Sequence, residues 1–128
     1  MKKDIEGRKE ICQLVDAFYE KVRKDASIGF IFNDIAQVDW VHHLPVMYDF
    51  WENVLFQTGH YTGNPMVTHT QLHQKFPLTG EHFAQWKKLF LETIEEHFEG
   101  PNADLARQRA LSIAGVMERK IVGNFPGL

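Results

Sequence analysis

Apolar residues recur at three- and four-residue spacing through most of the chain, and strict alternation of apolar with polar positions is almost absent. That spacing lines up side chains on one face of a helix, so helices are expected rather than strands. The first stripe is Ile11, Leu14, Val15, Phe18 and Val22, with Tyr19 beside it and Glu20, Lys21, Arg23 and Lys24 toward water. It fades at Asp25-Ala26-Ser27, and Gly29 marks a turn before Phe30-Ile31-Phe32. A second stripe carries Leu44, Met47, Phe50, Trp51, Val54 and Leu55. Asp39 could start that helix. Pro45 lacks an N–H and clashes with the preceding turn. Regular helix is therefore expected from about Leu44–Pro45, leaving His43 on or just before its first turn.

The stretch GHYTGNP, Gly59 through Pro65, is dense in breakers and reads as loop. A short helix is expected from about Met66 to Lys75, ended by Pro77. Thr79 opens a long helix, because Thr-Gly-Glu-His has capping-box spacing with His82 where Glu or Gln is preferred. Its stripe reads Phe83, Trp86, Phe90, Ile94 and Phe98, and Gly100-Pro101-Asn102 stops it. The last helix should run from about Ala103 to Val122, its faces marked by Leu105, Arg109, Ile113, Val116, Met117 and Ile121. The fold class is all-α. Short turns after the breaker loop make antiparallel neighbours the expectation.

With 128 residues, a single domain spanning 1–128 is expected, large enough for a real core. Ten Phe, three Trp and three Tyr can fill that core or line a pocket for a large planar ligand. The net charge is −3 and the basic residues are dispersed, which argues against nucleic acid. No apolar run approaches the roughly 20 residues that span a bilayer. The first residues lack the apolar stretch of a signal peptide, so a cytoplasmic location without membrane partners is expected. Cys12 stands alone, which removes an internal disulfide and a thiolate metal cluster.

Chemistry concentrates on histidine. Neutral imidazole is a good ligand for iron, zinc or copper. His69 follows Asn64-Pro65-Met66, which would start a short helix and fix the direction of its ring. His73, at i+4, shares that face and competes for the role. Such a pair could also chelate zinc, but zinc wants a third protein ligand and no well-spaced one stands out. Tyr19, His43 and Trp86 are hydrogen-bond donors within apolar stripes on three different helices. They could converge on a polar diatomic ligand, or be ordinary core aromatics bonded to backbone carbonyls. His42 points about 100° from His43 on a helix, so only one of them easily faces a given pocket. His60, His82 and His97 look like solvated or cap positions. There is no phosphate-cradling glycine loop, no Gly-x-Ser-x-Gly and no Cys-x-x-Cys-His.

The runs FYEKVRKDASIGFIF, DWVHHLPVMYDFW, GHYTGNPMVTH and HFAQWKKLFLETIEEHF resemble those of the truncated haemoglobins, group III. The likeness covers roughly residues 11–122. It implies a trimmed globin, a 2-on-2 helical sandwich around haem b. By that resemblance His69 holds the iron, with His73 as the fallback. Phe32, Met47, Phe50 and Trp86 line the cofactor. Tyr19, His43 and Trp86 form the distal, ligand-binding side. O2 and NO are the implied ligands, with NO-detoxifying or peroxidase-like redox chemistry in view. An electron-donating reductase is a conceivable partner and a monomer is expected. Whether the protein is an enzyme stays open. Two other readings remain: a haem-free helical module that grips a partner through an aromatic groove, and a metal-dependent hydrolase using His69 and His73.

Overall fold

The computed structural model describes residues 2–59, 61, 63, 69, 71–73 and 77–121. Four long helices occupy most of them: α1 (Arg8–Lys24), α2 (Trp40–Phe56), α3 (Gly80–His97) and α4 (Pro101–Ile121). A single π-helical turn, Ile31–Ile35, lies between α1 and α2. Residues 69 and 71–73 are helical, as the expected short helix requires, while its remaining positions lie outside the described residues. The same holds for His60, for most of the expected loop from Gly59 to Pro65, and for Val122 at the end of the last helix.

The buried face of α1 is the stripe Ile11, Leu14, Val15, Phe18 and Val22, joined by Tyr19 and by Glu10, which is ion-paired with Lys3. α1 packs against α2 and α3, α3 packs against α4, and α2 touches α4, which is a 2-on-2 arrangement. An aromatic cluster ties three of these helices together. Phe18 meets Phe90 edge-on at 5.0 Å, and Trp51 of α2 stacks on Phe90 at 4.7 Å. Each buried Phe of this kind contributes about 1.5–3 kcal/mol. Directional pairs reinforce the cluster at the helix edges: the Tyr48 hydroxyl donates to Asp16, and Arg8 reaches Asp49 and Glu52.

Helix α2 begins at Trp40, a full turn before the start expected from Pro45. The Asp39 carboxylate accepts the Val41 N–H at 3.2 Å, and the His43 N–H donates to the Asp39 carbonyl at 2.8 Å. This cap holds the first turn. The carbonyl that Pro45 cannot serve belongs to Val41, which is 80% exposed, so water can satisfy it. His43 therefore sits inside the helix, not ahead of it.

Thr79 caps α3 as its spacing predicts: the His82 N–H donates to Thr79 Oγ1, and the Thr79 N–H donates to His82 Nδ1. On α4 the buried face keeps Met117 and Ile121 of the expected markers but is otherwise made of alanines. It is Ala103, Ala106, Ala110, Ala114, Met117 and Ile121, whereas Leu105, Ile113 and Val116 are half-buried and Arg109 is exposed. Small side chains let α4 approach its neighbours closely, and a reading weighted by large apolar residues passes over them. The cap of α4 comes from the far end of the chain. Asp4 accepts N–H bonds from Asn102 at 3.0 Å and Ala103 at 2.8 Å. Gly100, at φ +141, leaves room for it, since a Cβ there would lie 2.5 Å from the Asp4 carboxyl carbon.

Candidate functional site

Two cavities meet at one histidine. The larger, about 150 Å³, is lined by Tyr19 of α1, by His43, Val46, Met47, Phe50 and Trp51 of α2, and by Tyr61 and Ile113. The smaller, about 50 Å³, is lined by Ile28, Ile31, Phe32, Leu72, Leu78, His82 and Phe83. His69, Trp86 and Met117 line both. Every residue the sequence reading placed around the cofactor or its ligand therefore borders this paired space: Phe32 on one side, Tyr19, His43, Met47 and Phe50 on the other, Trp86 and His69 between. His73 borders neither.

Local structure explains each placement. Gly29 brings the chain hard against the end of α1, where a Cβ would sit 2.9 Å from the Val22 and Arg23 carbonyl oxygens. The π turn follows at once and delivers Phe32 to the smaller cavity. Asp25 fixes the same corner by accepting from Ser27 and Ile28 N–H groups and from Gln85 Nε2 of α3. On α2, the early helical start turns His43 inward. Its neighbour His42 points to solvent, with Nδ1 2.6 Å from the Asp39 carboxylate.

The polar groups divide by what they are bonded to. Burial drives the Tyr19 hydroxyl well above its ordinary pKa, so it stays a protonated donor at any physiological pH. His43 is held below the usual histidine value, first by burial and then by the charge of His69 nearby, so its ring is neutral at pH 7. Its Nε2 is buried with no hydrogen-bond partner. An orphaned buried nitrogen is costly unless something enters the cavity to meet it. His73 Nδ1, by contrast, accepts the Leu78 N–H at 2.7 Å and helps close the chain into α3. His82 Nδ1 is likewise taken by the cap. His97 is exposed. Among the described residues no group of three or more His, Cys, Asp or Glu could hold a metal ion by itself.

One residue went unnoticed in the sequence. Trp40 touches Tyr19 at 5.3 Å, His43 at 5.6 Å and Phe32 at 6.2 Å between ring centroids. Its signal was available, because it stands three residues before His43, but only if α2 is started at Asp39 and not at Pro45. Trp86 is stacked on Phe90, with the rings 3° from parallel, which fixes the indole at the boundary of the two cavities.

The donor set suits a flat apolar group with a metal at its centre: aromatic and aliphatic walls, one imidazole bordering both cavities, and an unpartnered nitrogen on one side. No helix among the described residues is long and apolar enough to cross a membrane. A family model of the bacterial-like globins matches residues 3–118. A group 3 truncated haemoglobin of Campylobacter jejuni is 34% identical over 117 residues, covering 89% of this chain and 90% of that protein. The crystal structure of a group III truncated haemoglobin from Campylobacter jejuni matches with a TM-score of 0.82 at 33% identity, covering 94% of this chain and 95% of that one. The chain thus belongs to the bacterial-like globins and, within them, to the group III truncated haemoglobins.

Proposed function

We propose that the protein holds haem b through His69 and binds a diatomic gas, O2 or NO, on the side lined by Tyr19, His43 and Trp86. The observation that carries this reading is the buried, unbonded Nε2 of His43 in a cavity it shares with Tyr19, Trp86 and His69. Attachment would be noncovalent, since the chain has one cysteine and it lies on α1. When bound, haem would supply an iron able to take up a small diatomic ligand.

The chain's own residues set the rest. His69 is favoured over His73 because its ring borders both cavities, while His73 Nδ1 already accepts a backbone hydrogen bond. Phe32, Met47 and Phe50 offer apolar walls that keep water from the cofactor. The Tyr19 hydroxyl and the Trp86 indole can donate to a polar ligand, and neutral His43 can either donate or accept. A hydrogen bond to a group carrying charge contributes about 1.5–3 kcal/mol, so several donors slow release by orders of magnitude. Retention of that kind fits NO removal or peroxidase-like use of the ligand better than O2 carriage.

Absorption spectroscopy of the purified chain tests the reading. A Soret band that shifts on adding CO or O2 to the reduced protein is expected. No Soret band after supplying haem would overturn it and favour the haem-free partner-binding module.

A further inference from the structure

Trp40 borders neither cavity, yet its ring packs on residues that line both: Tyr19 and His43 on one side, Phe32 on the other. Phe32 lies nearly parallel to the indole, 22° between planes, while His43 meets it edge-on at 83°. The indole is covered by a cation as well. The Arg23 guanidinium of α1 sits over it, 4.9 Å from the ring centroid. The backbone carbonyl of Arg23 is fixed by Asn33 Nδ2 at 3.2 Å, so the arginine's place on the helix end is set by the π turn.

His43 needs such a support. Its Nε2 has no hydrogen-bond partner, so no bond at that nitrogen fixes the direction of the ring. Among the described residues the rings packed on it are Tyr19, at 5.3 Å and 80°, and Trp40, and their packing constrains how the imidazole sits. Both are donors of edge or face contacts whose strength depends on geometry. Tyr19 is itself braced by Trp40, so the two supports are not independent.

We propose that Trp40, clamped by Arg23, is a positioning residue that holds the His43 ring against Tyr19 and so keeps the gas-binding side closed and correctly oriented. This rests on the function proposed above for what the side binds, but the packing claim stands on the chain alone. Loosening the clamp would let the imidazole swing toward the exposed edge of α2, opening the cavity and removing a polar contact at the same time. Ligand entry and ligand loss would both become faster.

The test measures ring contacts and gas kinetics in the full chain carrying Trp40→Leu, Trp40→Phe, Arg23→Gln or Arg23→Lys. In the unsubstituted protein, nuclear Overhauser contacts between the His43 and Tyr19 rings are expected. Trp40→Leu should abolish or scatter them and raise both CO association and O2 dissociation rates roughly tenfold, the scale of two lost aromatic contacts. Arg23→Gln should raise the rates about two- to fivefold, the scale of an exposed cation–π contact, and Arg23→Lys should restore most of the loss. Trp40→Phe, which keeps a ring at that place, should fall between and covers the case in which Trp40→Leu does not fold. His43–Tyr19 contacts unchanged in the Trp40→Phe and Arg23→Gln proteins, with only a lower melting temperature, would overturn the proposal, because Trp40 would then be packing alone. The contact measurement needs no haem. A chain that takes up none would sink the functional reading while leaving this arm able to decide the clamp.

Discussion

The two cavities share a wall of His69, Trp86 and Met117 but treat polar atoms in opposite ways. Behind Phe83 and Leu78, the further polar side chain is His82, and its Nδ1 is bonded into the cap of α3. Behind Tyr19, the His43 Nε2 is buried and bonded to nothing. A fold gains stability by satisfying buried polar groups, and nothing at His82 strains that rule, since its bond to the cap lies at the surface. The second cavity departs from it. Departures of this sort concentrate where a ligand completes the hydrogen bonding, and that contrast is what supports the proposed gas side.

The strongest test of the contrast attacks the shared wall. His69→Ala should abolish haem retention, read as loss of the Soret band in purified protein. His73→Ala should keep the band and only lower stability, by about 1–3 kcal/mol for the Leu78 N–H it leaves unbonded. The reverse pattern would move the iron ligand to His73 and undo the comparison. Next in size, Tyr19→Phe should speed O2 dissociation roughly ten- to hundredfold in stopped flow, since it removes one donor to a charge-bearing ligand. Phe83→Leu, across the wall, should leave that rate nearly unchanged; equal effects from both would mean the two sides are not chemically distinct.

A smaller effect probes the satisfied side. Thr79→Ala removes the cap of α3 and should cost about 1 kcal/mol in denaturant unfolding without altering gas kinetics. The smallest concerns pH. His43 is depressed from the ordinary value of 6.5, by burial first and His69 second, so folding favours its neutral form. That contribution is complete above pH 6.5 and is lost as pH falls from there through the depressed folded value, where the unfolded chain binds the extra proton. His43→Leu should flatten this part of the stability–pH curve. A slope identical to that of the unsubstituted chain would show that His43 is not held neutral by the fold.

Much of this was readable in the chain. The α1 stripe, the Thr79–His82 cap and the aromatic stripe of α3 follow from spacing and end chemistry, both local. The placement of Tyr19, His43, His69 and Trp86 around one space rested on family likeness, because no local rule brings four helices' side chains together. Pro45 misled the start of α2, since the rule against internal proline is weaker than a good cap with an exposed carbonyl to spare. Trp40 was lost with that turn. The alanine face of α4 was lost because small residues carry little periodic signal.

Helix identity, the capping of α3 and the supply of imidazole and aromatic donors were determined by the sequence alone, because each depends on residues within a turn or two of one another. Which histidine nitrogen stays unbonded, which tryptophan braces it, and that Asp4 caps a helix nearly a hundred residues away were decided only by the tertiary structure. Those facts depend on which atoms meet across helices. Hydrophobic spacing marks the buried face of a helix where large side chains carry it, as on α1, but never the partner it is buried against.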